Sequence, residues 1–200
     1  LPYFSNLARF RPGNAVDEAR AGVRFLFVGG LTMRKGADLL LQAFTAIQPD
    51  TAHTLTVTGN GPLRQRLHDA APGACRFTGF ADWSALPAAY ADHDCLVVPS
   101  RYDGWGMVVP EGLAAGLPVI STDQMGSALD LITPDVNGWR VPAASFESLR
   151  AAMERAADQI PRDRAGWRQR ALNAVSGHQL EDGVCHFERA IQSALGGATR

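Results

Sequence analysis

Two carboxylates, Asp103 and Glu111, lie eight positions apart in VVPSRYDGWGMVVPEGLAAGLPVISTD, around a run of alternating glycines. Gly104 and Gly106 leave the main chain between them without side-chain cover, so its N–H groups can approach an anion. Pro110 occupies the expected first helical position and Gly116 the expected stop, which places Glu111 in a first helical turn. A glutamate there is favoured by the helix dipole alone, and glycines are ordinary in strand-to-helix turns. The functional reading gains weight because three other loops of the same kind recur. These are Gly29-Gly30, Gly59-Asn60-Gly61 and the 123–127 turn.

A second feature points the same way. Of 19 basic residues, only Lys35 is a lysine, and it follows the first glycine loop in LTMRKG. A lysine there can set a mobile point charge on a phosphate, where the ordinary alternative is a solvated surface side chain. Exposed N–H groups, one lysine and a helix N-terminus suit a phosphate-bearing ligand. A carboxylate such as Glu111 repels phosphate and suits sugar hydroxyls, so the combination describes a nucleotide or nucleotide sugar.

The elements that must position these residues alternate. Short β-rich runs are expected at 24–28, 54–58, 95–99 and 118–121, with shorter candidates at 75–78 and 139–141. Helical spacing marks 37–47, 62–70, 83–91 and 110–115, and then three successive helices at 146–158, 162–175 and 180–195. Strands separated by helices imply an α/β fold with a doubly wound parallel sheet, Rossmann-like, followed by C-terminal helices. In such a sheet the loops after the strands gather on one rim, where ligands bind. The chain divides into a leader or interdomain linker at 1–22, a nucleotide-sugar-binding domain at 23–176 and a final helical segment at 177–200.

Composition limits the alternatives. Two hundred residues with 46% hydrophobic content suit one α/β domain. A net charge of −1 argues against nucleic-acid or membrane-surface binding by charge, and the apolar runs are too short to span a bilayer. Cys75, Cys95 and Cys185 are odd in number and widely spaced, which points to reduced, buried thiols and a cytosolic setting. Asp92-His93-Asp94 looks like a metal-binding D-x-D but precedes a strand, away from the expected rim. Thr58-Gly59-Asn60-Gly61 opens like a dinucleotide fingerprint, yet Arg64 replaces its third glycine. The five histidines lack ligand spacing. A glycosidase reading of Asp103 and Glu111 leaves the anion-binding loop between them unexplained.

The ordered set VGGLTMRKGADLLLQAF, LTVTGNGPLRQRL, CRFTGF, DHDCLVVPSRYDGWGMVVPEGLAAGLPVISTD and VNGWRVP resembles the C-terminal half of retaining family 4 (group 1) glycosyltransferases of the GT-B fold. The resemblance runs from about residue 9 to 195. It implies transfer of a hexose-type residue from a UDP- or GDP-sugar to a hydroxyl, with anomeric configuration kept and no metal or other cofactor. By position, Glu111 resembles the acid that holds the donor ribose, and Asp103 the acid near the donor sugar and departing phosphate. Gly104, Trp105, Gly106, Met107 and Val108 resemble the segment receiving the sugar hydroxyls and β-phosphate. Lys35 resembles the diphosphate lysine, Gly59 lies in a neighbouring rim loop, and Phe77 and Thr78 fall in the stretch whose main chain faces the base.

Two positions depart from the family pattern. Glu usually stands where Asp103 is, and many members carry Arg at the place of Gly30, for which Arg34 is a candidate substitute. The resemblance further implies a separate N-terminal acceptor domain, with Val184, Phe187 and Ile191 of the last helix either facing it or packing on this same domain. It implies polysaccharide or glycolipid assembly in the cytoplasm, at most peripheral to the inner membrane face and touching membrane only through that other half. The competing readings are a nucleotide-sugar epimerase of the same fold and a non-catalytic nucleotide-binding module.

Overall fold

A computed structural model describes residues 3–10, 12, 17–47 and 52–196. Six strands form one parallel sheet: β1 (Arg24–Val28), β2 (Thr54–Thr58), β3 (Cys75–Gly79), β4 (Cys95–Val98), β5 (Val119–Thr122) and β6 (Gly138–Val141). Their spatial order is β3-β2-β1-β4-β5-β6. The order reverses between β1 and β4, and at such a switch point the loops after the two strands diverge and leave a crevice.

The helices between strands are α1 (Ala37–Ala46), α2 (Arg64–Ala70), α3 (Leu86–Ala91), α4 (Val108–Ala114) and α5 (Gly126–Leu131). Three more, α6 (Phe146–Gln159), α7 (Arg164–Ala174) and α8 (Leu180–Gly196), follow β6. The expected doubly wound architecture is therefore present. Helix α5 is an addition to the sequence reading, which took 123–127 as a turn alone. Its six residues are too few to show a helical period, and a glycine opens it. The predicted 162–175 helix splits into a short 3-10 turn at Ile160–Arg162 and α7, because Asp163 leaves helical geometry and accepts the Gly166 N–H as an N-cap.

Alternation along the strands fills both faces of the sheet. Phe25, Phe27, Leu55, Val57 and Val97 pack with α1, α2 and α6, while Leu26, Leu96 and Val98 pack with α3, α4, α5 and α7. Strands β4 and β5 are buried along their whole length, as central parallel strands should be. Leu7 and Phe10, from the segment before β1, are buried in the second of these cores beside Tyr90.

The expectation of three buried thiols is corrected in part. Cys95 is buried and Cys75 half-buried with its thiol pushed up to about 12 by desolvation, but Cys185 is exposed on α8. That helix is amphipathic and shows its apolar stripe to solvent: Leu180, Val184, Phe187, Ile191 and Leu195 are all exposed.

Candidate functional site at the strand C-terminal rim

The crevice beside the switch point brings Lys35 and Asp103 together. The loop after β1 carries Lys35, the loop after β4 carries Asp103, and the lysine Nζ donates to Asp103 Oδ2. Both side chains are mostly shielded, at 19% and 17% exposure, so the surface-lysine alternative does not hold. Arg34 approaches the same carboxylate oxygen at 3.8 Å and donates to the Tyr102 carbonyl at 3.2 Å. It remains 57% exposed at the rim.

Several contacts hold these loops in register. Arg101 donates twice to the Asp38 carboxylate at 2.7 Å, and its own N–H meets the Arg34 carbonyl at 2.8 Å. This fork ties the end of β4 to the start of α1 and holds the Asp38 carboxyl below its usual range. Gly36 has a left-handed backbone (φ 69°), and a Cβ there would lie 2.0 Å from the Pro99 carbonyl oxygen. Glycine is required for that close approach. Gly59 has a similar task, since its Cβ would meet the Gly29 carbonyl oxygen at 1.8 Å.

The glycine loop 104–107 leads directly into α4. That helix begins at Val108, two residues before the position inferred from Pro110, with Met107 at its N-cap. Pro110 is its third residue, where the missing N–H is still one of the donors without an intrahelical partner. Among the described residues, no acceptor engages the N–H of Gly104, Trp105, Gly106, Met107 or Val108. These donors form a continuous row beside the Lys35–Asp103 pair, at the positive end of a helix dipole.

The carbonyl side of the same loop is fixed from beneath. The buried Ser127 hydroxyl lies 2.7 Å from the Trp105 carbonyl oxygen and 2.8 Å from that of Gly106. Its N–H also donates to Trp105 O at 2.9 Å, and the Asp103 N–H donates to Gln124 O at 3.0 Å. With their carbonyls turned toward α5, the peptides of the loop present N–H groups outward.

Glu111 is 6% exposed in the first turn of α4, and its Oε2 accepts the Tyr90 hydroxyl at 2.8 Å. Burial raises the Glu111 carboxyl above its ordinary value, opposed by the Tyr90 hydrogen bond and the charge of Arg9. Tyr90 is fully buried, which with the adjacent carboxylate pushes its phenol well up. Neither Tyr90 nor Ser127 nor Arg101 was marked by the sequence, because each acts across more than twenty positions.

The remaining predicted residues are distributed unevenly. Trp105 is half-buried and stacks on Tyr3 at 5.1 Å, so one face of its ring is covered. Phe77 packs its side chain toward the α1–α2 core and against His68, while Thr78 bonds Thr58 at 3.0 Å. Both stand on β3, the edge strand, whose outer main chain has no neighbouring strand among the described residues. Gly30 lies in open space, where a Cβ would meet no atom nearer than 3.8 Å. Asp94 of the D-x-D sequence lies on the opposite rim, engaged by Arg20, Arg24 and Arg164.

Known proteins resemble this chain in sequence and in fold. Residues 22–159 match the model of the family described as glycosyl transferases group 1. The chain belongs to that family. This group 1 domain is 40% identical over 121 residues to a GDP-mannose-dependent alpha-mannosyltransferase of Mycobacterium tuberculosis, covering 60% of this chain and 30% of that protein. It is 34% identical over 123 residues to an uncharacterized glycosyltransferase of Methanocaldococcus jannaschii, covering 58% and 31%. The group 1 domain thus spans about a third of the length of these relatives.

Solved structures show the same fold. The C-terminal domain of a glycosyl transferase group 1 family protein from Francisella tularensis superposes with a TM-score of 0.73 at 22% identity, covering 88% of this chain and 98% of that one. Sucrose-phosphate synthase from Thermosynechococcus elongatus gives a TM-score of 0.78 at 22% identity, covering 99% and 52%. The group 1 domain therefore has the architecture of the C-terminal half of a GT-B glycosyltransferase, as its sequence led us to expect.

Proposed function

We propose that this chain is the donor-binding half of a retaining glycosyltransferase that moves a hexosyl residue from a nucleoside diphosphate sugar to a hydroxyl acceptor. The observation that carries the reading is the convergence, at one switch point, of the Lys35–Asp103 pair, the N–H row of residues 104–108 and the carboxylate of Glu111. Lys35 and the N–H groups would stabilise the charge that grows on the leaving diphosphate, acting electrostatically from a preorganised frame. Asp103 would face the donor sugar, and the Glu111 oxygen that has no hydrogen-bond partner among the described residues would accept from ribose hydroxyls. The edge of β3 at Phe77 and Thr78 would offer main-chain groups to the base. No divalent metal enters this scheme.

The acceptor would be held by an N-terminal half, and the exposed stripe of α8 is suited to contact it. Closure of that half over the rim would exclude water from the reacting centre. None of the described helices is long and apolar enough to cross a membrane, and we place the reaction in the cytoplasm, in polysaccharide or glycolipid assembly. Because relatives named for GDP-mannose match this chain, a GDP-sugar is the first donor to test, ahead of UDP-sugars.

The test is a thermal-shift titration with GDP, UDP, ADP and their sugar derivatives, repeated with Lys35→Ala and Glu111→Ala. Saturation to 100 times Kd adds about 2.7 kcal/mol, a shift of several degrees for a domain of this size. One nucleotide shifting the wild type and neither variant supports the donor site; no shift with any nucleotide overturns it. Binding without transfer by the full-length protein would favour the nucleotide-binding module instead, and interconversion of free sugar nucleotides the epimerase.

A further inference from the structure

The N-terminal rim of the sheet, on the far side from the glycine loops, holds a second concentration of charge. Arg20, Arg24, Arg164 and Arg168 converge with Asp17 and Asp94 on one cavity of about 50 Å³ between the segment before β1 and α7. One carboxylate serves three of the guanidiniums: Asp94 lies 3.0 Å from Arg20 Nη1, 3.5 Å from Arg24 Nε and 3.3 Å from Arg164 Nη1. It also accepts the Arg24 main-chain N–H at 2.8 Å. Asp17 is half exposed, accepts the Ala19 N–H at 3.1 Å and, among the described guanidiniums, reaches Arg20 alone at 3.8 Å, so it compensates little.

Arg164 is the telling member. Its side chain is 2% exposed, and Nη2 donates to the carbonyls of Arg20 and Gly22. Its Nε and Nη1, like Arg24 Nε, have no hydrogen-bond partner among the described residues. A guanidinium cannot escape burial by losing its proton, so donors left unmet at this depth are costly. The carbonyl ends of α3 and α4, at Ala91 and Gly116, also line the cavity and favour cations nearby. Those dipoles account for an arginine at the rim, such as Arg168 against Gly116, but Arg164 Nη1 and Arg24 Nε have only ion-pair contact with Asp94 and no hydrogen bond, and Arg164 Nε has neither among the described residues.

We propose that this cavity binds one small oxyanion of the phosphate or sulfate class, which completes the hydrogen bonding of Arg164 and Arg24 and locks the segment before β1 onto α7. Guanidinium forks match the oxygens of a tetrahedral anion. The cavity is far too small for a nucleotide, so this site and the donor rim select different ligands.

Sodium phosphate and sodium sulfate are titrated against sodium chloride at constant ionic strength, with melting temperature as the readout, in wild type, Lys35→Ala, Arg20→Gln and Arg164→Lys proteins. Expected is a saturable phosphate and sulfate shift beyond that of chloride, unchanged in Lys35→Ala and under saturating UDP or GDP. Arg20→Gln and Arg164→Lys should weaken it at least tenfold. A shift no larger than that of chloride, one abolished by Lys35→Ala or nucleotide, or one intact in Arg20→Gln overturns the proposal. If Arg164→Lys does not fold, Arg20→Gln, at a partly exposed position, decides alone. The outcome does not depend on whether any nucleotide binds at the other rim.

Discussion

Tyr90 donates its hydroxyl to Glu111 at 2.8 Å inside the core, fixing a carboxylate of the glycine-loop rim from a helix twenty-one positions earlier. Burial raises the folded-state carboxyl of Glu111 above 4.5, so folding takes up a proton across the window just above that value. Stability at this residue is therefore present below the unfolded value and lost as pH rises through the folded one. We expect Glu111→Gln, which keeps the Tyr90 contact without charge, to melt no lower than wild type at pH 7.5 and to flatten the pH dependence of melting above pH 4.5. Its nucleotide affinity should fall. A variant that melts several degrees lower at pH 7.5 would show that the ionised carboxylate is stabilising.

Lys35 and Asp103 satisfy each other, so under the proposed function a bound diphosphate would compete with Asp103 for the lysine. In the full-length enzyme, Lys35→Ala should reduce turnover about a hundredfold or more, the magnitude typical of removing one preorganised donor from a developing oxyanion. Asp103→Asn should release the lysine and tighten binding of the bare nucleoside diphosphate while lowering transfer. Initial-rate kinetics and nucleotide titration of both variants check this pair, and wild-type rates in Lys35→Ala would sink the role assigned to it.

Ser127 braces the glycine loop through the carbonyls of Trp105 and Gly106. Its replacement by Ala removes the hydroxyl that links those carbonyls and leaves them only the main-chain N–H groups of Ser127 and Val109, at a cost of about 0.5–1.5 kcal/mol. If Ser127 orients the loop, Ser127→Ala should raise the donor KM by more than tenfold, with the acceptor KM unchanged and Ser127→Thr partly restoring it. Equal loss in both constants, tracking the fall in melting temperature, would reduce Ser127 to a general packing role.

The strands were readable because their signals are local. Residues 24–28 and 54–58 are β-rich runs between turn residues, and both ends of both strands agree with the structure. The start of α4 was misplaced because Pro110 is tolerated throughout a first turn, so a proline marks a helix start only to within two residues. The rim loops could be found from glycines, whereas what fixes them could not. Tyr90 sits in an alanine-rich helix with nothing nearby to signal a carboxylate partner, and Arg101 meets Asp38 only because β1 and β4 are neighbours in space. Arg164 reads as one arginine among eighteen until the fold buries it.

The stripe on α8 gives a separable prediction. Phe187 is 56% exposed and Val184 53%, so a charged residue at either should cost the isolated domain little. In the full-length protein, Phe187→Asp should lower the melting temperature or loosen the two halves to proteolysis while donor binding persists. An unchanged full-length protein would show that this face meets solvent there as well.

Gly30 is the position at which the site can be strengthened. It is absent from the glycines with left-handed backbone, and a Cβ there would have only ordinary contacts, 3.8 Å to Thr32 Cγ2 and 3.9 Å to the Asn60 carbonyl oxygen. Gly59 next to it would place a Cβ 1.8 Å from Gly29 O, so Gly59→Ala should unfold the rim where Gly30→Arg should not. An arginine at 30 would add a second fixed cation beside Lys35 and the N–H row, with water available to screen it from Arg34 in the free protein. We expect Gly30→Arg to bind the nucleoside diphosphate several-fold more tightly, a gain of about 1 kcal/mol, with a steeper salt dependence and an unchanged melting temperature. Affinity that is unaltered or weaker in a protein that melts like wild type would mean that the diphosphate lies elsewhere than beside the β1 loop.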